Sequence, residues 1–327
     1  MLGRPARLVG LLIVLTLLAS VAGCGGQQQS DVSEFSQIAQ AADEALAQGY
    51  PPTISVQDVY NNIVVGGDDS YFLLSIRSPE HYEKGHVPGA VNIPYREVWK
   101  AENLAKIPKD KKIVVICYTG HTASQVTMLL KMLGYEAYAM KFGMMGWTDD
   151  PEILGIPSFN CAESLNYPLE TGAVEAEGGN EFPTVSTGKE SVDDMILAQA
   201  EAYLTSGRPP VISAADVYNN VVVGGDDSYF LLSIRKPEHF EKGHVPGAIN
   251  IPFGDIAKEE NLAKLPKDKK IIVICYTGHT ASQATMLLNL LGYEAYAMKF
   301  GMMGWTSDPD VLGIPVFDCN PPNFPTE

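Results

Sequence analysis

The chain contains the same sequence twice, and this limits its possible folds more than any other feature does. A shift of 158 positions takes Tyr71–Leu74 onto Tyr229–Leu232 and Trp147 onto Trp305, and most positions between Asp58 and Pro157 are identical to their partners. Solenoid and propeller repeats are much shorter, at roughly 20 to 50 residues. A unit of this size can hold a core of its own, so the sequence predicts two tandem domains.

The two domains are predicted at residues 33–161 and 191–319. The segment between them, residues 162–190, is acidic and rich in glycine, proline, serine and threonine, which is typical of a linker. Residues 24–32 form a polar stretch that we interpret as a tether, and residues 320–327 are interpreted as a tail.

Residues 1–23 have the pattern of an export signal. Two arginines precede the apolar run Leu8–Ala22, which is too short to cross a bilayer comfortably. The stretch Val21–Cys24 resembles the lipobox of bacterial lipoproteins, which implies cleavage before Cys24 and lipid on its sulfur. We therefore expect an exported protein, held by a lipid anchor on the periplasmic or another extracytoplasmic face of a bacterial membrane.

The charge balance excludes one class of partner. The 39 acidic residues outnumber the 23 basic ones, and the formal net charge is −16. A nucleic-acid-binding protein needs a basic face to neutralise phosphates. The sequence therefore predicts no nucleic-acid partner.

Apolar patterns alternate between two periods within each unit. The apolar runs Tyr71–Ile76 and Lys112–Cys117 predict buried strands, and the amphipathic stretch His121–Leu133 predicts a helix. Weaker patterns predict strands at 90–93 and 137–142 and helices at 34–48, 58–63, 79–84 and 97–107. Strands alternating with helices predict the α/β fold class, with a parallel sheet covered by helices on both faces in each domain.

Cys117 lies where a reactive side chain is expected in such a sheet. It ends the most strand-like segment, and the glycine-containing turn Tyr118–Gly120 leads directly into the next helix. Backbone N–H groups and the helix dipole at such a turn favour an anion, here the ionised thiol. Cys275 has the same surroundings. A cysteine at a strand end can also be a small buried residue, but the glycine-containing turn favours the reactive interpretation.

Four motifs, in the same order in both units, resemble those of the rhodanese family. In the first unit they are Leu73–Glu80, Gly85–Ala90, Cys117–Thr122 and Gly143–Trp147. The resemblance covers nearly all of both units. It implies an α/β sandwich with a cysteine that accepts a sulfane sulfur and then donates it to a nucleophile.

The resemblance also implies which residues form the site. It assigns the catalytic role to Cys117 and Cys275, and we predict that both domains are active. The loops that would hold the persulfide through backbone amides are Tyr118, Thr119, Gly120, His121 and Thr122 in the first domain and Tyr276, Thr277, Gly278, His279 and Thr280 in the second.

The implied function is that of an enzyme, a sulfurtransferase without a cofactor. It would move sulfur from thiosulfate, polysulfide or a persulfide to a thiol or cyanide. The alternatives are a non-catalytic sulfur-carrier or sensing lipoprotein and a thiol–disulfide redox protein. Phosphatases and arsenate reductases of this fold have a longer loop with an essential arginine, and this chain has neither feature.

The chain departs from the family pattern in two ways. The aspartate of the usual Asp-x-Arg motif is Ser75 in one unit and Ser233 in the other, and serine brings no charge. The cysteine loops also contain no arginine or lysine that could hold a thiosulfate dianion. This second departure leaves polysulfide or a persulfidated thiol open as the natural donor.

Other titratable residues receive smaller roles. His121 and His279, four positions after the cysteines, could help to hold the thiolate or bind a soft metal with it. No third ligand stands at helical spacing, so we predict no metal site. Arg77 is expected to pair with Glu80, as is the matching arginine of the second unit with its own glutamate, and His86 is expected to be structural.

Cys161 and Cys319 end the two units, and the sequence leaves their role open. Exported thiols meet oxidising conditions, so the two could form a disulfide that clamps the domains together. Each could instead act as a resolving thiol for the reactive cysteine of its own unit, or be a small buried residue near a domain end.

Overall fold

The computed structural model describes residues 33–49, 51–161, 165–174 and 176–327. The predicted signal peptide, the tether and Cys24 lie outside these residues. Within the described ranges, no helix has both the length and the apolar character needed to cross a membrane.

The two repeats form the same elements in the same order. The first repeat contains α1 (Glu34–Leu46), β1 (Thr53–Ile54), α2 (Val56–Asp58), β2 (Tyr71–Ser75), α3 (Pro79–Lys84), β3 (Val91–Asn92), α4 (Ala101–Leu104), β4 (Lys112–Ile116), α5 (His121–Met132), β5 (Ala137–Met140) and α6 (Pro151–Leu154). The second contains α7 (Val192–Thr205), β6 (Val211–Ile212), α8 (Ala214–Asp216), β7 (Tyr229–Ser233), α9 (Pro237–Phe240), β8 (Ile249–Asn250), α10 (Glu259–Leu262), β9 (Lys270–Ile274), α11 (His279–Leu290), β10 (Glu294–Met298) and α12 (Pro309–Leu312).

Each repeat builds a five-stranded, fully parallel sheet. The strand orders are β1-β5-β4-β2-β3 and β6-β10-β9-β7-β8. β4 and β9 occupy the centres of their sheets, where residues Ile113–Ile116 and their partners are buried. A strand covered on both faces needs a continuous apolar sequence, which explains why these two segments gave the clearest strand prediction. The α/β fold class predicted from the sequence is confirmed.

The structure differs from the sequence predictions at several elements. The predicted helix at 97–107 is wrong as one element, because Lys100 adopts an extended conformation and divides it into a 3₁₀ turn (Tyr95–Glu97) and α4. The predicted helix at 58–63 is a π-helical segment (Val59–Val65) that follows α2. Strand β1 was not predicted, since two residues are too few to show a period.

The two repeats pack together through α5 and α11. Almost every residue of these helices is buried, including the polar Ser124, Gln125 and Thr127 and their partners. One face of each helix covers its own sheet, and the face that looked polar in the sequence meets the other repeat. Residues Ser33–Glu327 accordingly form one compact unit.

The described part of the segment between the repeats lies against the protein. Phe182 stacks on Phe35 of α1 with ring centroids 4.7 Å apart. The ammonium group of Lys267 lies 2.6 Å from a carboxylate oxygen of Glu181. The acidic composition of this segment therefore did not indicate how much of it would be fixed by contacts.

Candidate active site

Cys117 lies at the carboxyl end of the central strand β4, directly before α5. Its Sγ accepts a hydrogen bond from the Gly120 N–H at 3.1 Å. Cys275 accepts the matching bond from the Gly278 N–H, also at 3.1 Å. In both repeats a main-chain N–H of the loop is therefore directed at the sulfur atom just before the following helix.

Gly120 is required by the shape of the loop. Its φ of 86° is in the left-handed region, where a side chain is strained. A Cβ atom at this position would lie 2.3 Å from Nε2 of His279, which belongs to the other repeat. The loop backbone at Gly120 therefore packs directly against the side chain of a residue 159 positions later in the chain.

A glycine-rich turn supports the loop from the same repeat. The 3₁₀ turn Gly143–Gly146 follows β5, and its Met144 N–H donates to the Cys117 carbonyl at 2.9 Å while the Met145 N–H donates to the Tyr118 carbonyl at 2.8 Å. Both methionines and Trp147 are buried. These residues belong to the core beneath the loop.

Tyr118 fixes the outer side of the loop. Its hydroxyl lies 2.7 Å from Nδ1 of His81 and accepts a bond from the Ser78 N–H at 3.1 Å. The second repeat has the same arrangement around Tyr276, with His239 and the Lys236 N–H. Sequence reasoning missed these two histidines, although their equivalent positions in the repeats could have drawn attention to them.

The expected partner of Arg77 was wrong. Its guanidinium is buried and donates to the carbonyls of Gly85, His81 and Ile153, while exposed Glu80 pairs with Lys84. Arg235 likewise donates to the carbonyls of Val311 and Gly243. These carbonyls can stabilise a buried cation without a carboxylate, because several dipoles converge on it.

The serine that replaces the family aspartate is buried beside the site. Ser75 ends β2 next to Ile116, the residue that precedes Cys117. Its hydroxyl has no hydrogen-bond partner among the described residues, and the same holds for Ser233. The serine hydroxyls therefore do not replace the hydrogen bonding of an aspartate at this position.

His121 and His279 face the other repeat. The two rings stack with centroids 5.7 Å apart. Nδ1 of His121 is 2.8 Å from the Thr119 hydroxyl, and its Nε2 accepts a bond from the Phe300 N–H at 2.9 Å. His279 makes the same contacts with Thr277 and with the Phe142 N–H. The expectation that these rings hold the thiolate is wrong, because both nitrogens are engaged elsewhere.

Both imidazoles are neutral in this arrangement. Burial, together with the smaller effect of the nearby Lys141, lowers the pKa of His279 to about 3. Burial also holds the pKa of His121 well below its usual value, with His279 and Lys299 adding to the effect. Each ring needs an unprotonated Nε2 to accept its bond from the other repeat. In the described part of the chain no group of side chains could hold a metal ion.

The two cysteines predicted to be catalytic are covered. Cys117 and Cys275 are free thiols, and each exposes only 1% of its surface. Their loops meet the other repeat at Gly120 and Gly278. Both thiols therefore lie beneath loops that are packed against the other repeat.

Cys161 and Cys319 are joined to each other in a disulfide. Of the alternatives that the sequence left open, the structure shows the first, a disulfide that joins the two repeats. In this state neither cysteine is available as a resolving thiol for Cys117 or Cys275.

The sequence matches the family model described as rhodanese-like domain at residues 55–150 and again at residues 213–308. Among curated relatives, it is 32% identical over 85 residues to the proposed sulfur carrier protein YrkF of Bacillus subtilis, which covers 26% of this chain and 45% of YrkF. It is 26% identical over 268 residues to a proposed thiosulfate sulfurtransferase of Mycolicibacterium smegmatis, covering 72% of this chain and 87% of that protein.

Solved structures show a weaker overall likeness. The thiosulfate sulfurtransferase of Pseudomonas aeruginosa is 18% identical, covers 89% of this chain and 50% of its own, and gives a TM-score of 0.30. A rhodanese-related protein of Thermoplasma volcanium is 27% identical, covers 30% of this chain and 90% of its own, and gives a TM-score of 0.27. The family assignment rests on the sequence match: this chain belongs to the rhodanese family and contains two rhodanese-like domains in tandem.

Proposed function

We propose that the protein is a sulfurtransferase that carries sulfane sulfur as a persulfide on Cys117 and Cys275. The observation that carries this proposal is the hydrogen bond from a loop N–H to each sulfur, at the carboxyl end of the central strand of each sheet. The names of the relatives are consistent with it, since they describe a proposed sulfur carrier and proposed thiosulfate sulfurtransferases.

The reaction has two steps. In the first, the cysteine thiolate attacks the outer sulfur of the donor, a new S–S bond forms, and the donor's own bond to that sulfur breaks. Thiosulfate would release sulfite, and a polysulfide would release a chain shorter by one sulfur. In the second, cyanide or a thiol attacks the terminal sulfur of the enzyme persulfide and regenerates the thiolate. Backbone N–H groups stabilise the sulfur anion in both steps.

The test is cyanide-dependent formation of thiocyanate, with thiosulfate and polysulfide compared as donors. Cys117→Ser and Cys275→Ser should each retain part of the activity, and the double variant should retain none. Complete loss in one single variant would contradict the activity of both domains. Activity with polysulfide but not with thiosulfate would agree with the lack of a cation in the loops.

A second candidate is a sulfur carrier that releases its sulfur only to a partner protein. The covered position of both cysteines favours it, because a covered persulfide turns over slowly with small acceptors. Mass spectrometry would then show a gain of about 32 Da, the mass of one sulfur, at Cys117 and Cys275. That adduct would persist in the presence of cyanide or a small thiol. A redox role would instead require a disulfide between a reactive cysteine and Cys161 or Cys319.

We also propose that the protein is exported and anchored by lipid at Cys24. The disulfide between Cys161 and Cys319 supports export, since such bonds persist in oxidising compartments. Metabolic labelling with a fatty acid should mark the wild-type protein and leave the Cys24→Ser variant unlabelled. Equal labelling of both proteins would contradict the anchor.

A further inference from the structure

Two short segments of the chain share one sequence pattern and one way of packing. Residues Asn166–Glu170 read Asn-Tyr-Pro-Leu-Glu, and residues Asn323–Glu327 read Asn-Phe-Pro-Thr-Glu. We call them the first strap and the second strap. The first strap follows the first repeat and lies on the second, whereas the second strap follows the second repeat and lies on the first. From the sequence alone, the first strap is expected in the linker and the second in the tail.

The aromatic and proline positions of the second strap are bound by Trp147. The Phe324 ring stacks on Tyr60 at 3.9 Å between centroids and meets the Trp147 ring edge-on at 5.1 Å. The Trp147 carbonyl accepts from the Phe324 N–H at 3.1 Å, and the Trp147 indole N–H donates to the Pro325 carbonyl at 3.1 Å. The strap thus supplies the hydrogen-bond partner of the Trp147 indole N–H and packs against its ring.

The two ends of the second strap are bound by main-chain groups. The side-chain oxygen of Asn323 accepts from the Asp149 N–H at 2.9 Å. Glu327 pairs with His86 through both backbone groups, as neighbouring antiparallel strands do, and its carboxylate accepts from the Gly89 N–H at 2.9 Å. The side chains of the asparagine and the glutamate are therefore recognised through hydrogen bonds. The residue between proline and glutamate differs between the two straps.

The first strap repeats these contacts on the second repeat. Tyr167 stacks on Tyr218 at 4.3 Å, and the Trp305 indole N–H donates to the Pro168 carbonyl at 2.9 Å. Asn166 accepts from the Ser307 N–H at 2.9 Å. Glu170 pairs with His244 and accepts from the Gly247 N–H at 2.8 Å. Leu169 here and Thr326 in the second strap show that the variable position tolerates different side chains.

We propose that each rhodanese-like domain carries a groove that binds extended peptides of the pattern Asn-aromatic-Pro-x-Glu, and that in this chain each groove holds the strap of the other domain. The groove on the first repeat is formed by Tyr60, Trp147, Asp149, His86 and Gly89. Both straps occupy matching grooves with the same aromatic, indole, asparagine and glutamate contacts, although two of their five residues differ. The grooves recognise a peptide motif, so the straps are interchangeable.

The test uses a chain that ends at Pro322 and therefore lacks the second strap. A fluorescein-labelled peptide Asn-Phe-Pro-Thr-Glu should bind it saturably in fluorescence anisotropy, and so should Asn-Tyr-Pro-Leu-Glu. The matched control peptide, with alanine in place of asparagine and glutamate, should bind at least about tenfold more weakly, because it loses two hydrogen-bonded positions. The full chain should show no comparable binding, since its own strap fills the groove. Equal binding of the alanine peptide, or no binding to the folded shortened chain, would overturn the proposal.

If the shortened chain does not fold, hydrogen exchange in variants of the full chain tests the proposal instead. Phe324→Ala should speed hydrogen exchange of the Trp147 indole and the Gly89 amide at least about tenfold and leave Trp305 and Gly247 unchanged. Tyr167→Ala should instead speed exchange of the Trp305 indole and the Gly247 amide and leave Trp147 and Gly89 unchanged. Unchanged exchange in both variants would show that the straps are not held in specific grooves.

Discussion

At Gly120 two separate requirements exclude a side chain. The positive φ strains any residue with a Cβ, and a Cβ would also collide with the His279 ring. We expect Gly120→Ala to lower the free energy of unfolding by about 2 to 4 kcal/mol. It should also reduce sulfur transfer at Cys117, because the N–H that bonds the sulfur must move. Denaturant unfolding measures the first effect, and activity in a Cys275→Ser background measures the second.

Gly134 provides the matched control for this substitution. Its φ is 81°, and no atom lies within 4 Å of the position that a Cβ would take. Gly134→Ala should therefore cost about 1 kcal/mol, which is the backbone part alone. If Gly120→Ala costs no more than this, the contact with His279 does not constrain the loop.

The repeats differ in the buried polar contacts of Gln125 and its partner Gln283. In the first repeat, the Tyr95 hydroxyl donates to the side-chain oxygen of Gln125. The matching residues are Phe253 and Gln283, and the side-chain oxygen of Gln283 is buried without a hydrogen-bond partner among the described residues. Phe253→Tyr should supply the missing donor and raise the free energy of unfolding by about 1 kcal/mol. Thermal unfolding checks this, and a lower melting temperature would mean that the hydroxyl cannot reach the glutamine.

At the scale of elements, the N-termini of α5 and α11 meet through two neutral histidines. Their pKa values in the folded protein lie below the ordinary value of about 6.5. Between about pH 6.5 and pH 3 the unfolded chain therefore binds more protons than the folded one. The histidine contribution is complete above pH 6.5 and is lost as the pH falls, by up to about 1.4 kcal/mol per pH unit for each ring.

Denaturant unfolding between pH 6.5 and 5 tests this dependence, since few carboxylates titrate in that window. The His121→Gln/His279→Gln double variant should lose most of the slope, because glutamine does not titrate. An unchanged slope in the double variant would assign the pH dependence to other groups.

At the scale of the whole molecule, the features that hold the two repeats together include the α5–α11 contact, the reciprocal straps and the disulfide between Cys161 and Cys319. The Cys161→Ser/Cys319→Ser variant should lose about 2 to 4 kcal/mol of unfolding free energy, because the unfolded chain regains the freedom that the cross-link removes. A reductant should destabilise the wild type and leave the variant unchanged. Equal stability of the two oxidised proteins would contradict a clamping role.

The sequence alone determined much of the local structure. The apolar strand before Cys117 and the glycine turn after it predicted the central strand, the loop and the following helix, because these features depend on neighbouring residues. The internal repeat likewise predicted two equivalent sites. The straps were also visible as Asn-Tyr-Pro-Leu-Glu and Asn-Phe-Pro-Thr-Glu, but their composition suited a linker and a tail.

Tertiary structure decided what each site contacts across the molecule. His121 looked like a partner for its neighbouring cysteine, and its ring instead bonds a main-chain N–H of the other repeat. The sequence predicted α5 as an amphipathic helix, and most of its polar residues are buried, with α11 packed against it. The two histidine contacts join residues 179 and 137 positions apart in the chain, and their energy comes from burial and hydrogen bonds between surfaces that become neighbours only on folding. No local pattern encodes which surface will meet which.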